Sequence, residues 1–335
     1  MVSSVQKMLL ERQQINETIR SFFRSRGYVE VETPIVVRSP GMESNLDPFE
    51  TTLLDERGNI YPAGIITSPE YAMKKLLGFG MERIFTLTHV LRNREPMDAT
   101  HNAEFTMLEW YQQGVEYQFG MDETEALVRA VGKVFGKEFP SFARLRIRDL
   151  VWKYGRVDLD EAGEPELREA CRKNAIHDDP SDTESDLFYR LFLHFVEPEV
   201  AQGPAFVYDY PLSQAALSSK TPDGKYGQRF ELYLDGLELC NGFTELTDAG
   251  EQRRRFLEEA QERVGNGKRV FPVDEAFLRL LPSLRQPSFG NALGVDRLHL
   301  LVTDRREIGD ILPFSVKKLF FPEDSPPPFS GSQAD

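Results

Sequence analysis

Cysteine is scarce in this sequence of 335 residues, which contains only Cys171 and Cys240. Two thiols cannot form a multi-disulfide framework, and by themselves they cannot supply a four-ligand zinc site, so we expect a reducing compartment. Long hydrophobic runs are also missing: no stretch reaches the roughly 18 apolar residues of a transmembrane helix. The N-terminal residues lack the apolar segment of a secretory signal. These absences predict a cytoplasmic protein with no membrane partner.

Positive charge is in short supply as well. The chain has 40 Lys and Arg residues against 54 Asp and Glu residues, a formal net charge of −14. An acidic surface repels phosphate backbones, so extended nucleic-acid binding is disfavoured, although a local basic patch stays possible. The hydrophobic share of 40% and the charged share of 28% are ordinary for a globular protein. The length allows one large domain or two ordinary ones.

Hydrophobic periodicity predicts an irregular alternation of helices and strands. We expect helices at 9–26, from Ser68 onward and at 248–264, and strands at 28–31, 81–89, 103–111, 205–210 and 229–247. The charged region at about 120–200 has a helical pattern, and we interpret it as an insertion. Because the strands do not follow a regular βαβ alternation, the prediction is an α+β fold with a mainly antiparallel sheet flanked by helices.

The first segment with chemical potential runs from Arg92-Asn93-Arg94-Glu95 through His101-Asn102 into the strand at 103–111. Side chains alternate along a strand, so Phe105, Met107, Glu109 and Tyr111 share one face. An aromatic ring, an acid and a phenol on one face suit a sheet surface that holds a ligand. A sheet with one solvated face explains the same pattern equally well.

A second segment places two acids, Glu238 and Glu245, on either side of the turn signal Asn241-Gly242. Paired carboxylates near a phosphate site commonly hold Mg²⁺, because this ion prefers oxygen ligands. A hairpin with surface acids at its ends is the more ordinary explanation of this segment alone. Cys240 is most simply a small buried residue.

A third segment, residues 290–297, begins with Gly290 and contains Gly294 before Arg297. The glycines permit close approach of the backbone to a ligand, and the arginine supplies a permanent cation for phosphate. A short glycine-rich stretch is a weak signal when taken alone.

Together these segments resemble the signature motifs of class II aminoacyl-tRNA synthetases, the first being GYVEVETP at 27–34. The pieces TSPEYAMKKLL, HNAEFTMLEWY, GLELCNGFTEL and ALGVDRL are most similar to the lysyl-tRNA synthetase subgroup. The resemblance extends from about residue 10 to residue 316. It implies a class II catalytic domain at 1–318 that includes the insertion, followed by a Pro/Ser-rich tail at 319–335, which we expect to be disordered.

The subgroup's synthetases carry an anticodon-binding domain before the first motif, and here that motif begins near residue 10. The free-standing catalytic domain resembles the elongation factor P (R)-β-lysine ligase family. That resemblance implies ATP-dependent activation of (R)-β-lysine, its transfer to a lysine side chain of elongation factor P, a homodimer, and no tRNA. The family comparison also implies that lysyl-tRNA synthetases have Gly where this chain has Ala292. A methyl group there would hinder an α-amino group and tolerate a β-amino isomer, a difference of about 1–3 kcal/mol.

The resemblance also implies roles for individual residues. Arg92 and Arg297 are the expected catalytic residues, clamping the α- and γ-phosphates of ATP. The expected ATP-binding set is Arg92, Arg94, Glu95, Asn102, Phe105, Glu238, Leu239, Gly294 and Arg297, with Phe105 stacked on adenine. The expected β-lysine site is Ser68, Glu70, Glu109, Tyr111, Asn241, Phe243, Glu245 and Ala292. Mg²⁺ is assigned to Glu238 and Glu245. The family's RNE is Arg-Asn-Arg-Glu here, so Arg94 or Glu95 fills the adenine position.

Three alternatives stay open at this point. The chain could activate α-lysine for another acceptor, or bind an amino acid without catalysis, or still charge tRNA. Retention of both phosphate clamps and of the acids argues against a non-catalytic binding protein.

Overall fold

The computed structural model describes residues 3–321, which form a large sheet, a small sheet and the helices around them. The strands are β1 (Val29–Glu30), β2 (Val36–Val37), β3 (Glu50–Leu54), β4 (Ile60–Ile65), β5 (Arg83–Leu91), β6 (Glu104–Gln113), β7 (Ala143–Arg146), β8 (Ala205–Pro211), β9 (Tyr226–Leu234), β10 (Leu237–Thr244) and β11 (Ser288–Gly294). The helices are α1 (Ser4–Ser25), α2 (Glu70–Gly78), α3 (Tyr117–Val134), α4 (Ile147–Gly155), α5 (Glu164–Lys173), α6 (Glu184–Phe195), α7 (Glu197–Val200), α8 (Ala249–Gly265), α9 (Glu275–Leu280), α10 (Val295–Val302) and α11 (Val316–Phe320).

The large sheet has the strand order β1-β5-β6-β11-β10-β9-β8-β7. Its central pairs from β5 to β8 are all antiparallel, and only the edge strands β1 and β7 pair in parallel. Strands β2, β4 and β3 form the small sheet. This architecture confirms the predicted α+β class II fold. None of the described helices combines the length and apolar character that crossing a bilayer requires.

One face of the large sheet carries the main hydrophobic core beneath α1, α3 and α10. Phe23 of α1 stacks on Phe85 of β5 at 5.0 Å between ring centroids, and Trp110 lies 5.2 Å from Phe23. Gly120 of α3 lets this helix approach the sheet, because a Cβ there would lie 2.0 Å from the ring of Phe289. Because α1, α3 and α10 cover one face of the large sheet, a ligand can be held only on the opposite face.

The region at 120–200 is not a single helical insertion. Its first part lies in α3, whose Leu127, Val128 and Val131 belong to the main core, and in β7, which joins the edge of the sheet. The helices α4 to α7 form a further layer, whose hydrophobic cluster around Phe188 and Leu191 also includes Val207 and Tyr210 of β8. Amphipathic periodicity predicted these helices but could not tell which core each of them covers.

The predicted turn at Asn241-Gly242 and the predicted tail at 319–335 both differ from what the structure describes. Asn241-Gly242 is not a turn but part of β10, and the hairpin turn before it is Asp235-Gly236, where both residues have positive φ. In the predicted tail, α11 continues through Phe320, and residues 322–335 lie outside the described part of the chain.

Candidate active site

The open face of the large sheet brings the three sequence segments together. Across three neighbouring strands, Ala292 of β11 pairs with Glu109 of β6 on one side and with Asn241 of β10 on the other. Directly paired residues point to the same face, so these three side chains form a row. We call this surface, defined by Glu109, Ala292 and Asn241, the site face. A second row one step along contains Tyr111, Gly290 and Phe243.

Three carboxylates meet at one end of the site face and define what we call the amine pocket. Glu70 begins α2, Glu109 lies on β6 and Glu245 follows β10, and they are only 9%, 1% and 1% exposed. Lys74, one turn after Glu70, is fully buried and forms ion pairs with Glu70 and Glu245. With all three carboxylates ionised, the pocket carries more negative than positive charge, which suits a ligand with more than one ammonium group.

Short contacts hold these carboxylates in place. The Tyr111 hydroxyl donates to Glu109 Oε2 at 2.9 Å, and the Ser68 hydroxyl donates to Glu109 Oε1. The Glu70 backbone N–H donates to Ser68 Oγ at 3.0 Å. Ser68 thus accepts from an N–H at the start of α2, although Pro69 and not Ser68 is the N-cap residue. The aromatic ring of Phe243 covers Lys74, with Nζ 5.1 Å from the ring centroid.

Burial sets the ionisation of the amine pocket. Desolvation raises the pKa of Glu109 to about 8, and the neighbouring Glu70 carboxylate raises it further against the hydrogen bonds of Ser68 and Tyr111. Desolvation also raises the pKa of Glu245 to about 8, opposed by the Lys74 ammonium. Glu245 Oε1 is buried without a hydrogen-bond partner among the described residues, whereas Oε2 pairs with Lys74. A cationic ligand would lower both pKa values and supply the missing donor.

A β-bulge determines which way Glu238 points. In a regular strand Glu238 and Asn241 would face opposite sides, because they are an odd number of positions apart. Here Glu238 pairs with Tyr233 and Cys240 with Leu232, so Leu239 is an extra residue without a partner. Leu239 and Cys240 both enter the main core, and Glu238 turns to the site face.

Two arginines lie at the other end of the site face, which we call the phosphate end. Arg92 covers the ring of Phe105, with 5.2 Å between Cζ and the ring centroid, and donates to the Thr67 carbonyl oxygen. Arg297 donates from Nη1 to the Glu238 carbonyl oxygen at 2.7 Å. Burial lowers the pKa of Arg92 while the nearby Glu95 and Glu238 carboxylates raise it, so these groups share one site.

His101 is a residue at this end that sequence reasoning passed over. Its Nε2 lies 2.9 Å from Arg297 Nη2, and its Nδ1 lies 2.8 Å from Asp98 Oδ1. Arginine only donates, so Nε2 accepts and Nδ1 carries the proton. His101 is part of HNAE, whose asparagine alone was selected from the sequence, and proximity to Arg297 is visible only in the fold.

The predicted metal pair of Glu238 and Glu245 is widely spaced along the chain. Seven residues of nearly extended chain separate them, a span of about 20 Å at roughly 3.3 Å per residue. The two carboxylates belong to opposite ends of the site, with Glu245 bound to Lys74 and Glu238 near Arg297. A single Mg²⁺ ion with ligand distances of about 2.1 Å would need both side chains to turn toward each other, so this pair stays a prediction.

Glu231 of β9 is the acid that the sequence analysis missed. It pairs across the sheet with Asn241, and its charge raises the pKa of Glu238 to about 7 together with the larger effect of burial. Tyr210 and Tyr233 donate to Glu231, and Arg229 forms an ion pair with it. Glu231 and Glu238 are the carboxylates that lie close together on the site face. Among residues 3–321 no group of three or more His, Cys, Asp or Glu side chains could hold a metal alone.

The remaining predicted ATP residues differ in how much of each is free to contact a ligand. Glu95 is partly buried near Arg92, whereas Arg94 is exposed with a positive φ of 58°, which supports Glu95 for the adenine position. Asn102 accepts from the Val316 N–H at 2.8 Å and donates to the Glu104 carbonyl, so its side chain already joins two segments. Leu239 has its side chain in the core, and only its backbone remains for a ligand. Gly294 is the last residue of β11 and the N-cap residue of α10, two positions before Asp296.

Comparison with known proteins matches residues 1–318 to the family model described as tRNA synthetases class II (D, K and N). A relative from Enterobacter sp. (strain 638), named elongation factor P–(R)-beta-lysine ligase, is 38% identical over 319 residues, covering 92% of this chain and 95% of the relative. Relatives of the same name from Salmonella typhi and Pectobacterium atrosepticum are 38% and 37% identical, with the same coverage. The chain therefore belongs to the class II tRNA synthetase family, among its elongation factor P–(R)-β-lysine ligase relatives.

Proposed function

We propose that this protein uses ATP to activate (R)-β-lysine as its adenylate and transfers the β-lysyl group to a lysine side chain of elongation factor P. The observation that carries the proposal is the amine pocket, in which Glu70, Glu109 and Glu245 face one buried lysine. β-Lysine has two ammonium groups, which the pocket can receive while Asn241 and Tyr111 direct the substrate along the site face. The names of the relatives support the same substrate and acceptor.

The proposed first step joins the substrate carboxylate to the α-phosphorus of ATP and releases pyrophosphate. Both reactants are negative, so catalysis depends on positioning and on neutralising charge. We assign Arg92 to the α-phosphate and Arg297 to the γ-phosphate, and Phe105 beside Arg92 offers a ring for adenine. In the second step, a neutral amine of the acceptor attacks the acyl carbon and AMP leaves.

The predicted Mg²⁺ pair of Glu238 and Glu245 stays part of the proposal, and the nearby carboxylates of Glu231 and Glu238 form an alternative pair. Carboxylate oxygens are the ligands that this ion prefers, and Glu231 would have to exchange a contact with Arg229, Tyr210 or Tyr233 to bind it. When bound, Mg²⁺ neutralises phosphate charge. Glu238, with its pKa raised to about 7, is available as an ionised ligand above neutral pH.

Ala292 is proposed to select the β isomer. Its methyl group lies between Glu109 and Asn241 in the row that would underlie the substrate backbone. The proposal retains the homodimer and the cytoplasmic location implied by the resemblance, and both cysteines are free and buried, which agrees with a reducing environment.

The test is ATP–pyrophosphate exchange with (R)-β-lysine, (S)-β-lysine and α-lysine, followed by transfer to elongation factor P. We expect the strongest exchange with (R)-β-lysine and labelled elongation factor P. Ala292→Gly should improve kcat/KM for α-lysine relative to β-lysine by about 5- to 100-fold, as one methyl group allows. A preference of the unaltered protein for α-lysine would contradict the proposal, and absence of exchange in protein that binds ATP would indicate a non-catalytic relative.

A further inference from the structure

Asp296 joins two parts of the phosphate end that are far apart in sequence. It is 3% exposed and lies in the first turn of α10, immediately before Arg297. Its Oδ2 accepts a hydrogen bond of 2.9 Å from the backbone N–H of Thr106, which immediately follows Phe105 on β6. Asp296 is therefore adjacent in sequence to Arg297. Its carboxylate is hydrogen-bonded next to Phe105, the ring that we assign to adenine.

The end of β11 explains why a side chain is needed here. Pairing between β11 and β6 stops at Gly294 and Met107, because the chain then turns into α10. Thr106 still pairs with His89 of β5 on its other side. The Thr106 N–H is partly buried and would lose its acceptor where β11 ends, so the Asp296 carboxylate takes the place of the missing strand.

Arg12 of α1 balances the buried charge of Asp296. Its Nη2 forms an ion pair with Asp296 Oδ1, and the Arg12 side chain is only 16% exposed. A carboxylate in the first turn of a helix is also favoured by the helix dipole. The connection thus runs from α1, through Asp296, to the backbones of both α10 and β6.

We infer that Asp296, held by Arg12, is a positioning residue that fixes Arg297 and Phe105 relative to each other for ATP. Neither Asp296 nor Arg12 needs to touch the nucleotide for this role. Arg297 reaches toward Glu238 and His101, and Phe105 lies under Arg92, so a shift of α10 against β6 would separate the two contacts. The inference rests on the proposed ATP-dependent activation.

The test compares Asp296→Asn and Arg12→Gln with the unaltered protein in ATP–pyrophosphate exchange. Asn keeps an oxygen for the Thr106 N–H but loses the charge that holds Arg12. We expect KM for ATP to rise roughly tenfold or more in both variants, with KM for β-lysine changing less than about twofold. The effect of the double variant on KM for ATP should be much smaller than the sum of the two single effects, because both substitutions break the same ion pair.

Matched controls separate positioning from general stability. Asp209→Asn alters a carboxylate that is 4% exposed, pairs with Arg146 at 2.9 Å and lies on β8, away from the phosphate end. Arg20→Gln breaks another ion pair of α1, the one with Glu30 at 2.8 Å. Both controls should keep the KM for ATP even if they lower the melting temperature. The inference is overturned if the test variants and controls lose stability alike with an unchanged KM for ATP. Absence of exchange in the unaltered protein would instead overturn the proposed function.

Discussion

At the scale of single residues, the buried carboxylates make substrate binding depend on pH. Glu109 and Glu245 have pKa values raised to about 8, well above those of an unfolded chain, so each adds stability below about pH 4.5 that is lost as pH rises through about 8. Binding of a dication favours the ionised forms. As pH rises through about 8, the ligand should therefore bind more tightly while the free protein loses stability.

We predict that affinity for β-lysine increases by about tenfold or more between about pH 6 and about pH 8. Calorimetric titration in two buffers of different ionisation enthalpy would measure both the affinity and the protons released. Glu109→Gln removes one of the two titrating groups, so it should bind more weakly and with a shallower pH dependence. Affinity that is constant or falls over this range would contradict the prediction.

The alternative metal pair of Glu231 and Glu238 gives a second prediction at this scale. Glu238→Gln and Glu231→Gln should each raise the Mg²⁺ concentration needed for half-maximal exchange by about tenfold, since one charged ligand is lost. Glu245→Gln should leave this requirement unchanged and raise KM for β-lysine, because Glu245 belongs to the amine pocket. Titration of exchange activity with Mg²⁺ distinguishes the two cases. A raised Mg²⁺ requirement in Glu245→Gln would support the pair of Glu238 and Glu245 instead.

At the scale of elements, the site face depends on close packing between β6, β10 and β11. A Cβ at Gly290 would lie 2.2 Å from Glu245 Oε1 and 2.3 Å from Tyr111 Cε1, so no side chain fits between them. The glycine is needed here for space, and its φ is not positive. It allows Tyr111 and Glu245 to face the same ligand.

We predict that Gly290→Ala lowers the free energy of unfolding by about 1–3 kcal/mol and reduces kcat/KM for β-lysine at least roughly tenfold. Gly265→Ala at the end of α8 is the control, because nothing lies within 4 Å of the added methyl group. That control should be neutral or slightly stabilising in urea denaturation. Equal behaviour of the two variants would show that space at Gly290 is not limiting.

Element boundaries show how far sequence patterns reached. The strands predicted at 81–89 and 103–111 are confirmed as β5 and β6, and their alternation correctly placed Glu109 and Tyr111 on one face. Alternation failed in β10, because the bulge at Leu239 adds a residue that periodicity cannot detect. The turn signal Asn241-Gly242 failed for a similar reason: Gly242 is packed against Phe230 and Asn291 inside the sheet.

At the scale of the whole molecule, the net charge of −14 favours a protein acceptor over a nucleic acid. We predict that radiolabelled lysine isomers appear on elongation factor P and not on lysine tRNA, because an acidic surface lacks the cations that phosphate binding requires. The measurement is acid-precipitable label in parallel reactions with elongation factor P or with lysine tRNA. Both reactions contain about 50 mM salt, which favours tRNA binding. Label on tRNA would contradict this prediction and revive a tRNA-charging role.

The sequence by itself determined the family, the α+β class and most residues of the amine pocket, because these depend on local motifs and on the period of two within β6. Only the tertiary structure decided which charges meet. Lys74 enters the pocket because α2 packs over the sheet, Glu231 reaches Glu238 through pairing of β9 with β10, and Arg12 reaches Asp296 from the other end of the chain. Such contacts arise from cross-strand register and helix packing, which join residues whose separation in sequence carries no signal.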